Sequence, residues 1–283
     1  MSETRELLDL ACRLAVDGGK LAAAGWHRDV AAGRTRQAMT AATKSSRTDV
    51  VTLHDRAAEG LLVSTLAARR PADAIVGEEG TQRPGTSGIS WYVDPIDGTT
   101  NFLYGLPLWS TSVGATDASG SLVGAVYVPA TDELFAAARG HGATRNGRTI
   151  RASGEVDLTL ALVATGFSYQ PARRAVQASR IAAIVPHIRD IRRTGSAAID
   201  LCYTAAGIVD AYFEDGLNSW DIVAGELIAR ESGCRSGDFA SGPSSPAELL
   251  VSSPGLFDAL SALLATTRDP PGEPRRVPSD LPD

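Results

Sequence analysis

The most constraining stretch of the chain is Trp91–Phe102, which reads W-Y-V-D-P-I-D-G-T-T-N-F. Trp91, Tyr92 and Val93 form an apolar run that reads as the end of a buried strand. Asp94 and Asp97 follow, three residues apart, with Pro95 between them. A proline fixes its own φ, withdraws a backbone donor and biases the preceding residue toward an extended conformation. The strand is therefore expected to stop there and present both acids at its carboxyl end. Gly98 permits close backbone approach, and the N–H groups of Gly98 and Thr99 are placed to face an anion. Two acids, a glycine and hydroxyls at a strand end suit chemistry on a metal and a phosphate. The same run also reads as an ordinary turn, with Pro at the second position and Asp or Gly after it. The two readings part on whether other carboxylates arrive at comparable places.

Composition removes several classes first. At 283 residues the chain can bury one large core or two smaller ones. A formal net charge of −6 argues against a general nucleic-acid surface. There is no run of 18 apolar residues and no basic segment followed by a short apolar one, so the expectation is a cytoplasmic protein with no membrane contact. Cys12, Cys202 and Cys234 are scattered and odd in number, as core residues are, and give neither a disulfide frame nor a zinc site. The four histidines lack H-x-H or H-E-x-x-H spacing. No G-x-S-x-G or G-x-G-x-x-G occurs, and Gly19-Lys20 lacks the rest of a Walker loop.

Along the chain, residues 4–25 carry Leu7, Ala11, Leu14 and Leu21 on one helical stripe. A polar stretch at about 28–49, with Arg28, Arg34, Arg36, Lys44 and Arg47, reads as a long loop or β-arm. Thr52-Leu53-His54-Asp55 opens a second helix that turns Leu53, Ala57, Leu61 and Leu62 inward and ends at Arg70-Pro71. Thr52 and Asp55 have capping-box spacing, so Asp55 serves the helix end, a metal site, or both. Ala74–Gly77 is a short strand running into Glu78-Glu79. If it is the parallel neighbour of the strand at Trp91, Glu78 and Asp94 share one edge, where ligands of such sheets bind. Residues 108–150 alternate short Val/Thr/Tyr-rich segments with turn signals, Asn146-Gly147 the clearest, and read as an antiparallel meander.

A second α/β segment follows. Strands are expected at 158–165, 188–193, 208–214 and 249–252. Helices are expected at 171–184, at 197–206, from Asn218-Ser-Trp-Asp221 with Ile222, Leu227 and Ile228 inward, and from Ser253-Pro254 to about 265. The division is thus an N-terminal α+β unit over 1–155 and a C-terminal α/β unit over 156–268. A proline-rich tail, 269–283, falls outside the fold.

Five acids now stand at strand or helix ends: Glu78, Asp94, Asp97, Glu214 and Asp221. Were three or four to converge within ~4 Å, each pair would repel by about 4 kcal/mol at an effective dielectric near 20. Such a cluster stays ionised only around cations. Carboxylates with a backbone carbonyl and water describe Mg²⁺ or Mn²⁺, not zinc, and two such ions form a clamp for displacement at phosphorus.

Over about residues 5–265 the chain resembles the inositol monophosphatase family, within the larger group of lithium-sensitive, magnesium-dependent sugar phosphatases. The resemblance rests on Lys44-Ser-Ser, Thr48-Asp49, Val51-Thr-Leu-His-Asp55, Gly77-Glu78-Glu79, Asp94-Pro-Ile-Asp-Gly-Thr-Thr-Asn-Phe102, Gly195-Ser-Ala-Ala198, Tyr212-Phe-Glu214 and Trp220-Asp221-Ile-Val-Ala-Gly225, in that order. It implies an α/β fold layered as an αβαβα sandwich, of the type shared with fructose-1,6-bisphosphatases, and a homodimer. It implies that Glu78, Asp94 and the carbonyl of Ile96 hold one Mg²⁺, and that Asp94, Asp97 and Asp221 hold a second, with Mn²⁺ a possible substitute. The amides of Gly98 and Thr99 would cradle phosphate. The Thr99 hydroxyl, with Glu78 and Asp55 behind it, would orient a metal-activated water for direct hydrolysis. Asp97, Glu214 and the Ser196-Ala197 backbone would meet substrate hydroxyls. Lys44 would lie near the phosphate or a third, weaker metal.

One departure bears on the substrate. Many inositol-preferring relatives carry a histidine two residues before the W-D pair, where this chain has Asn218. Glu214 suits a polyol phosphate, which favours inositol 1-phosphate. Histidinol phosphate, fructose 1,6-bisphosphate and adenosine 3′,5′-bisphosphate are the alternatives within the group. A non-catalytic metal-binding regulator is the alternative outside it.

Overall fold

The computed structural model describes residues 3–43 and 50–267, so Lys44 and the 269–283 tail lie outside the described residues. Helix α1 (Glu3–Ala31) buries Leu7, Ala11 and Leu14 as expected, but it runs beyond residue 25. Its inner face continues through Gly18, Gly19, Ala22, Gly25 and Asp29, small or charged residues that carry little hydrophobic signal. Within the expected arm lie a short helix, α2 (Arg36–Met39), and two strands, β1 (Thr40–Thr43) and β2 (Val50–Thr52), paired antiparallel.

Helix α3 (Leu53–Arg69) starts on its expected capping box and buries Leu62 as expected, but Leu53 and Ala57, also expected inward, are exposed. Leu53 is exposed, while Asp55, Ala58, Glu59, Leu62 and Leu66 are buried. Two buried acids occupy the inner stripe, so hydrophobic spacing alone misplaces it. Asp55 accepts from the Thr52 backbone N–H at 2.8 Å and from the Thr52 hydroxyl. Glu59 accepts from the Glu79 N–H at 2.7 Å and the Thr81 hydroxyl at 2.6 Å.

The first sheet is built from β3 (Ala74–Gly77), β4 (Gln82–Arg83), β5 (Ser90–Asp97), β6 (Ser110–Asp117), β7 (Gly120–Val128), β8 (Glu133–Ala138), β9 (Ala143–Arg145) and β10 (Arg148–Thr149). A single-turn-and-a-half helix, α4 (Thr99–Tyr104), interrupts it after β5. The strand order is β10-β9-β8-β7-β6-β5-β3-β4, antiparallel except for the β3–β5 pair, which is parallel as expected. The β9–β10 hairpin turns at Asn146 and Gly147, both at positive φ, as that dipeptide predicts.

Strand β5 does not end at Pro95. It continues to Asp97, with the ladder to β6 slipping between Asp94↔Ser112 and Asp97↔Ser110. Pro95 and Ile96 thus stand opposite Thr111 alone, a bulge, and the Thr111 hydroxyl donates to the Pro95 carbonyl at 2.7 Å. The parallel partner β3 has already ended at Gly77↔Val93, so the missing proline N–H costs no ladder bond. Proline here bends the strand where termination was expected.

The second sheet comprises β11 (Leu162–Thr165), β12 (Asp190–Arg192), β13 (Ala211–Asp215), β14 (Arg235–Gly237) and β15 (Glu248–Ser252). Its order is β12-β11-β13-β15-β14, parallel on the β12-β11-β13 side and antiparallel thereafter. The helices are α5 (Pro171–Ile184), α6 (Ala197–Ala205), α7 (Ser219–Glu231) and α8 (Phe257–Ala265). Three details differ from expectation. Residues 158–160 form a 3₁₀ turn on an Asp157 cap, Ile208 is exposed outside β13, and α8 starts only at Phe257.

Three apolar clusters order these parts into layers. One packs α1 and α3 on the first sheet, with Leu7, Leu14, Leu62, Ile75 and Trp91 at its centre. A second joins the opposite face of that sheet to α6, α7 and the second sheet through Val126, Phe135, Leu201, Ile228 and Val251. The third lies between the outer face of the second sheet and α5 and α8. The result is αβαβα. Alternation in β7 shows the two faces directly: Val123, Ala125 and Tyr127 enter the first cluster, Val126 and Val128 the second.

Two contacts in this scaffold generate predictions. Helix α7 lies on β6 and β7 where both carry glycine: a Cβ on Gly124 would stand 2.8 Å from Ala224 Cα, and one on Gly114 2.7 Å from Val223 Cγ1. Gly124→Val should therefore lower stability by about 1–3 kcal/mol, read from the urea midpoint at unchanged m-value. Asp73, 1% exposed, accepts from Trp91 Nε1 at 2.9 Å and from Arg70 Nε at 2.7 Å. Although burial opposes it, these bonds hold its carboxyl below the ordinary carboxylate value. A depressed folded pKa gives stability that is present above the unfolded value and lost as pH falls through the folded one. Asp73→Asn should cost about 1–3 kcal/mol at pH 7. The gap from wild type should narrow below about pH 4, measured by denaturant melts at both pH values.

Candidate active site

The two sheets face one another across a cavity of about 410 Å³. From the first sheet come Glu78, in the turn after β3, and Asp94, Ile96 and Asp97 at the bulged end of β5. Gly98 and Thr99 follow at the start of α4. From the second half come Ser196 and Ala197 at the start of α6, Glu214 at the end of β13, and Asp221 in the first turn of α7. Every expected site residue within the described part of the chain lines this cavity except Asp55, which sits directly behind Thr99.

Asp94, Asp97, Asp221 and Glu214 are each held by a donor that the fold supplies. Asp94 Oδ1 accepts from the Ile96 N–H at 3.0 Å. Asp97 Oδ2 accepts from the Ser196 hydroxyl at 2.6 Å and the Ala198 N–H at 2.7 Å, so it sits on the first turn of α6, where the helix dipole favours an anion. Asp221 Oδ2 accepts from the Asn218 N–H at 2.6 Å, the reciprocal half of a capping box. Asn218 is thus the N-cap of α7. Glu214 accepts from the Tyr212 hydroxyl at 2.7 Å and lies against Gly166, where a Cβ would fall 1.9 Å from its Oε2.

Gly98 has φ +96°, a conformation that any side chain would strain, and a Cβ there would also meet the Gly195 carbonyl at 3.1 Å. The Thr99 hydroxyl lies 3.3 Å from Asp55 Oδ1 and 3.1 Å from the Ile96 carbonyl. A hydroxyl has one proton, so it donates to one of these at a time and keeps lone pairs for a third group.

The electrostatics are those of crowded acids. Burial and then the neighbouring Glu78, Asp97 and Asp221 push Asp94 well above the ordinary carboxylate value. Burial, Asp97 and Glu78 do the same to Asp221. Asp97 is raised to about 6 by burial, against the pull of Ser196 and Ala198. Burial raises Asp55 and Glu214 to about 7. Among the described residues no three His, Cys, Asp or Glu side chains are drawn up as a ready coordination shell. The acids turn instead to backbone donors and to one another. Four carboxylates and the Ile96 carbonyl converging on one cavity are nevertheless a hard, all-oxygen donor set, which fits Mg²⁺ or Mn²⁺ and does not fit zinc.

Sequence reasoning missed three residues. Glu59 supports the turn that carries Glu78, and its carboxylate fills the space over Gly77. Its place four residues after Asp55 on one helix was the available signal. Asp200, inside the apolar run of α6, and Arg193 both line the cavity; burial, and then the neighbouring Glu214, push Asp200 well above the ordinary carboxylate value. An acid amid A-A-I-D-L-C was the signal for the first; Arg193 had none.

Acids that oppose one another should cost stability in the absence of cations. Asp94→Asn keeps an acceptor for the Ile96 N–H and removes a charge, so the metal-free variant should melt higher than wild type by roughly 2–4 °C. A lower midpoint, measured calorimetrically with chelator present, would show that the acids do not repel.

An inositol-1-monophosphatase, SuhB, of Mycobacterium tuberculosis is 44% identical over 234 residues, covering 78% of this chain and 80% of that protein. A protein named Nus factor SuhB from Escherichia coli is 40% identical over 238 residues, covering 83% and 86% respectively. The solved structure of the Bartonella henselae extragenic suppressor protein suhB superposes with a TM-score of 0.84 at 30% identity, over 92% of this chain and 98% of that one. The model of the inositol monophosphatase family matches residues 3–267, and the chain belongs to that family.

Proposed function

We propose that this protein is a Mg²⁺-dependent phosphomonoesterase that releases phosphate from inositol 1-phosphate. The observation that carries the reading is the meeting of Glu78, Asp94, Asp97 and Asp221, from three separate elements, around the Gly98-Thr99 turn in one cavity. A binding module has no need to hold four acids against their own repulsion; a phosphatase does.

In this reading Glu78, Asp94 and the Ile96 carbonyl would hold one divalent ion, and Asp94, Asp97 and Asp221 the other. When bound, the ions would neutralise the acids, draw charge from the phosphate oxygens and make a water more acidic. The chain's own residues do the rest. The N–H groups of Gly98 and Thr99 receive the phosphate. The Thr99 hydroxyl, backed by Asp55 and close to Glu78, aligns the attacking water. Glu214, held in place by Tyr212, accepts from vicinal hydroxyls of the leaving alcohol, alongside Asp97 and the Ser196-Ala197 backbone. Lys44 is assigned to the phosphate or to a third ion on family resemblance alone. The same reading carries a cytoplasmic homodimer.

A panel of inositol 1-phosphate, histidinol phosphate, fructose 1,6-bisphosphate and adenosine 3′,5′-bisphosphate tests it. Inositol 1-phosphate should give the highest kcat/KM, and chelator should abolish turnover. Asp94→Asn and Asp221→Asn should each lower kcat by at least about 10²-fold, the scale of losing one preorganised electrostatic group. Glu214→Gln should raise KM while leaving Mg²⁺ affinity unchanged; a loss of Mg²⁺ affinity would move Glu214 among the metal ligands. A folded protein inactive on all four substrates would defeat the enzyme reading and favour a role like that named for the E. coli relative.

A further inference from the structure

One wall of the cavity is a run of five residues, Gly166–Gln170, without helix or strand. It connects β11 to α5 and reaches toward the first half of the molecule, where the Tyr169 hydroxyl stands 3.5 Å from Thr100 Oγ1 on α4. An irregular segment over an active site needs something to set its height. Here the Ser168 N–H donates to Gln177 Oε1 at 2.8 Å, and Arg174 Nε donates to the Ser168 carbonyl at 3.0 Å.

Gln177 is the unusual member, a glutamine 4% exposed on the inner face of α5. Its Nε2 donates to Asp215 Oδ1. Asp215 is in turn gripped by Arg180 Nη1 at 2.7 Å and approached by Arg173 Nε at 3.4 Å. A carboxylate only accepts, so Asp215 fixes the amide with Nε2 inward and Oε1 toward the Ser168 N–H. Asp215 follows Glu214 in β13, and successive strand residues face opposite sides. Glu214 therefore faces the cavity while its neighbour faces α5. The line Arg180–Asp215–Gln177–Ser168 joins the strand that carries the alcohol-binding acid to the wall beside it.

We propose that Gln177 is a positioning residue that sets the Gly166–Gln170 wall at the height fitting the leaving alcohol, and so governs affinity for the alcohol half of the substrate without acting on the phosphate half. This rests on the phosphomonoesterase reading above. Nothing in the metal-facing acids touches Gln177, so the effect belongs in KM for substrates large enough to reach the wall.

The test uses Gln177→Met, which keeps the side-chain volume and removes both hydrogen bonds. Wild type and variant are assayed with Mg²⁺ on inositol 1-phosphate and on p-nitrophenyl phosphate, whose flat leaving group makes no polyol contacts. KM for inositol 1-phosphate should rise about tenfold, the equivalent of one lost buried hydrogen bond. Its kcat and both constants for p-nitrophenyl phosphate should stay within about twofold, and amide hydrogen exchange in 166–170 should quicken. Ser168→Pro deletes the same N–H from the wall side, together with the hydroxyl that accepts from the Gln170 N–H at the start of α5, and should give the same split; it decides the matter if Gln177→Met melts below the assay temperature. An equal loss on both substrates, or an unchanged KM on the polyol substrate, overturns the proposal. If wild type ignores inositol 1-phosphate, it is the substrate assignment that has failed, and the same split is read on whichever panel member it hydrolyses. Inactivity on all of them overturns both.

Discussion

Repulsion between carboxylates is the constraint on which this structure turns. Two unit charges ~4 Å apart oppose each other by about 4 kcal/mol at an effective dielectric near 20, while a whole domain is stable by only about 5–15 kcal/mol. Acids gathered in one cavity therefore need a scaffold that supplies each with its own donor. For the three aspartates the fold does this with backbone: Ile96 N–H for Asp94, Ala198 N–H for Asp97, Asn218 N–H for Asp221. Two of these donors are first-turn or cap groups of α6 and α7, which no intrahelical carbonyl would satisfy. Helix ends and acids thus solve one another's problem.

The same need explains why the two sheets are joined so closely. Asn101 of α4 donates to the Thr194 carbonyl at 2.7 Å, and Ser112 of β6 donates to the Trp220 carbonyl at 3.3 Å. Gly98 and Gly195 abut with no room for a Cβ at the former. Gly114 and Gly124 let the backbone of α7 settle on the first sheet, which brings Asp221 to the sheet that carries Asp94 and Asp97. Small residues at these contacts are the condition for acids from both halves to meet, since one added methyl group would push the second layer away from the first.

What could be read from the sequence follows from how locally each signal is written. Glu78, Asp94 and Asp97 stand at the ends of short apolar strands whose parallel pairing the spacing already suggested, and Asp221 stands in a helix start with its cap beside it. Those residues were legible, as was the meander with its Asn146-Gly147 turn. The inner face of α3 was not, because Asp55 and Glu59 lie on it and a helical stripe is sought among apolar residues. The continuation of β5 through Pro95 was hidden because a bulge needs the partner strand to be visible. Gln177 and Arg180 failed for the same reason as Glu59: in P-A-R-R-A-V-Q-A-S-R-I a buried polar face and a solvated one look alike until the partner, Asp215, is placed 35 residues or more away in sequence.

This asymmetry separates reaction from substrate. In the proposed function the phosphate end of the cavity is built around one continuous segment, Asp94 to Thr99, joined by Glu78 and Asp221. In that reading the alcohol end is assembled from three separate pieces of sequence: Glu214, Asp200, and the 166–170 wall with the helix it leads into. A motif can specify chemistry because the transferred phosphoryl group is the same in every substrate and needs the same few groups around it. The alcohol varies, and the residues that sort alcohols are spread over a second layer whose geometry is set by packing. On that proposal a chain of this family would keep its Asp94–Thr99 segment unaltered and change substrate by small adjustments in the wall beside Glu214, at positions such as Ser168 and Gln177 that no local pattern marks.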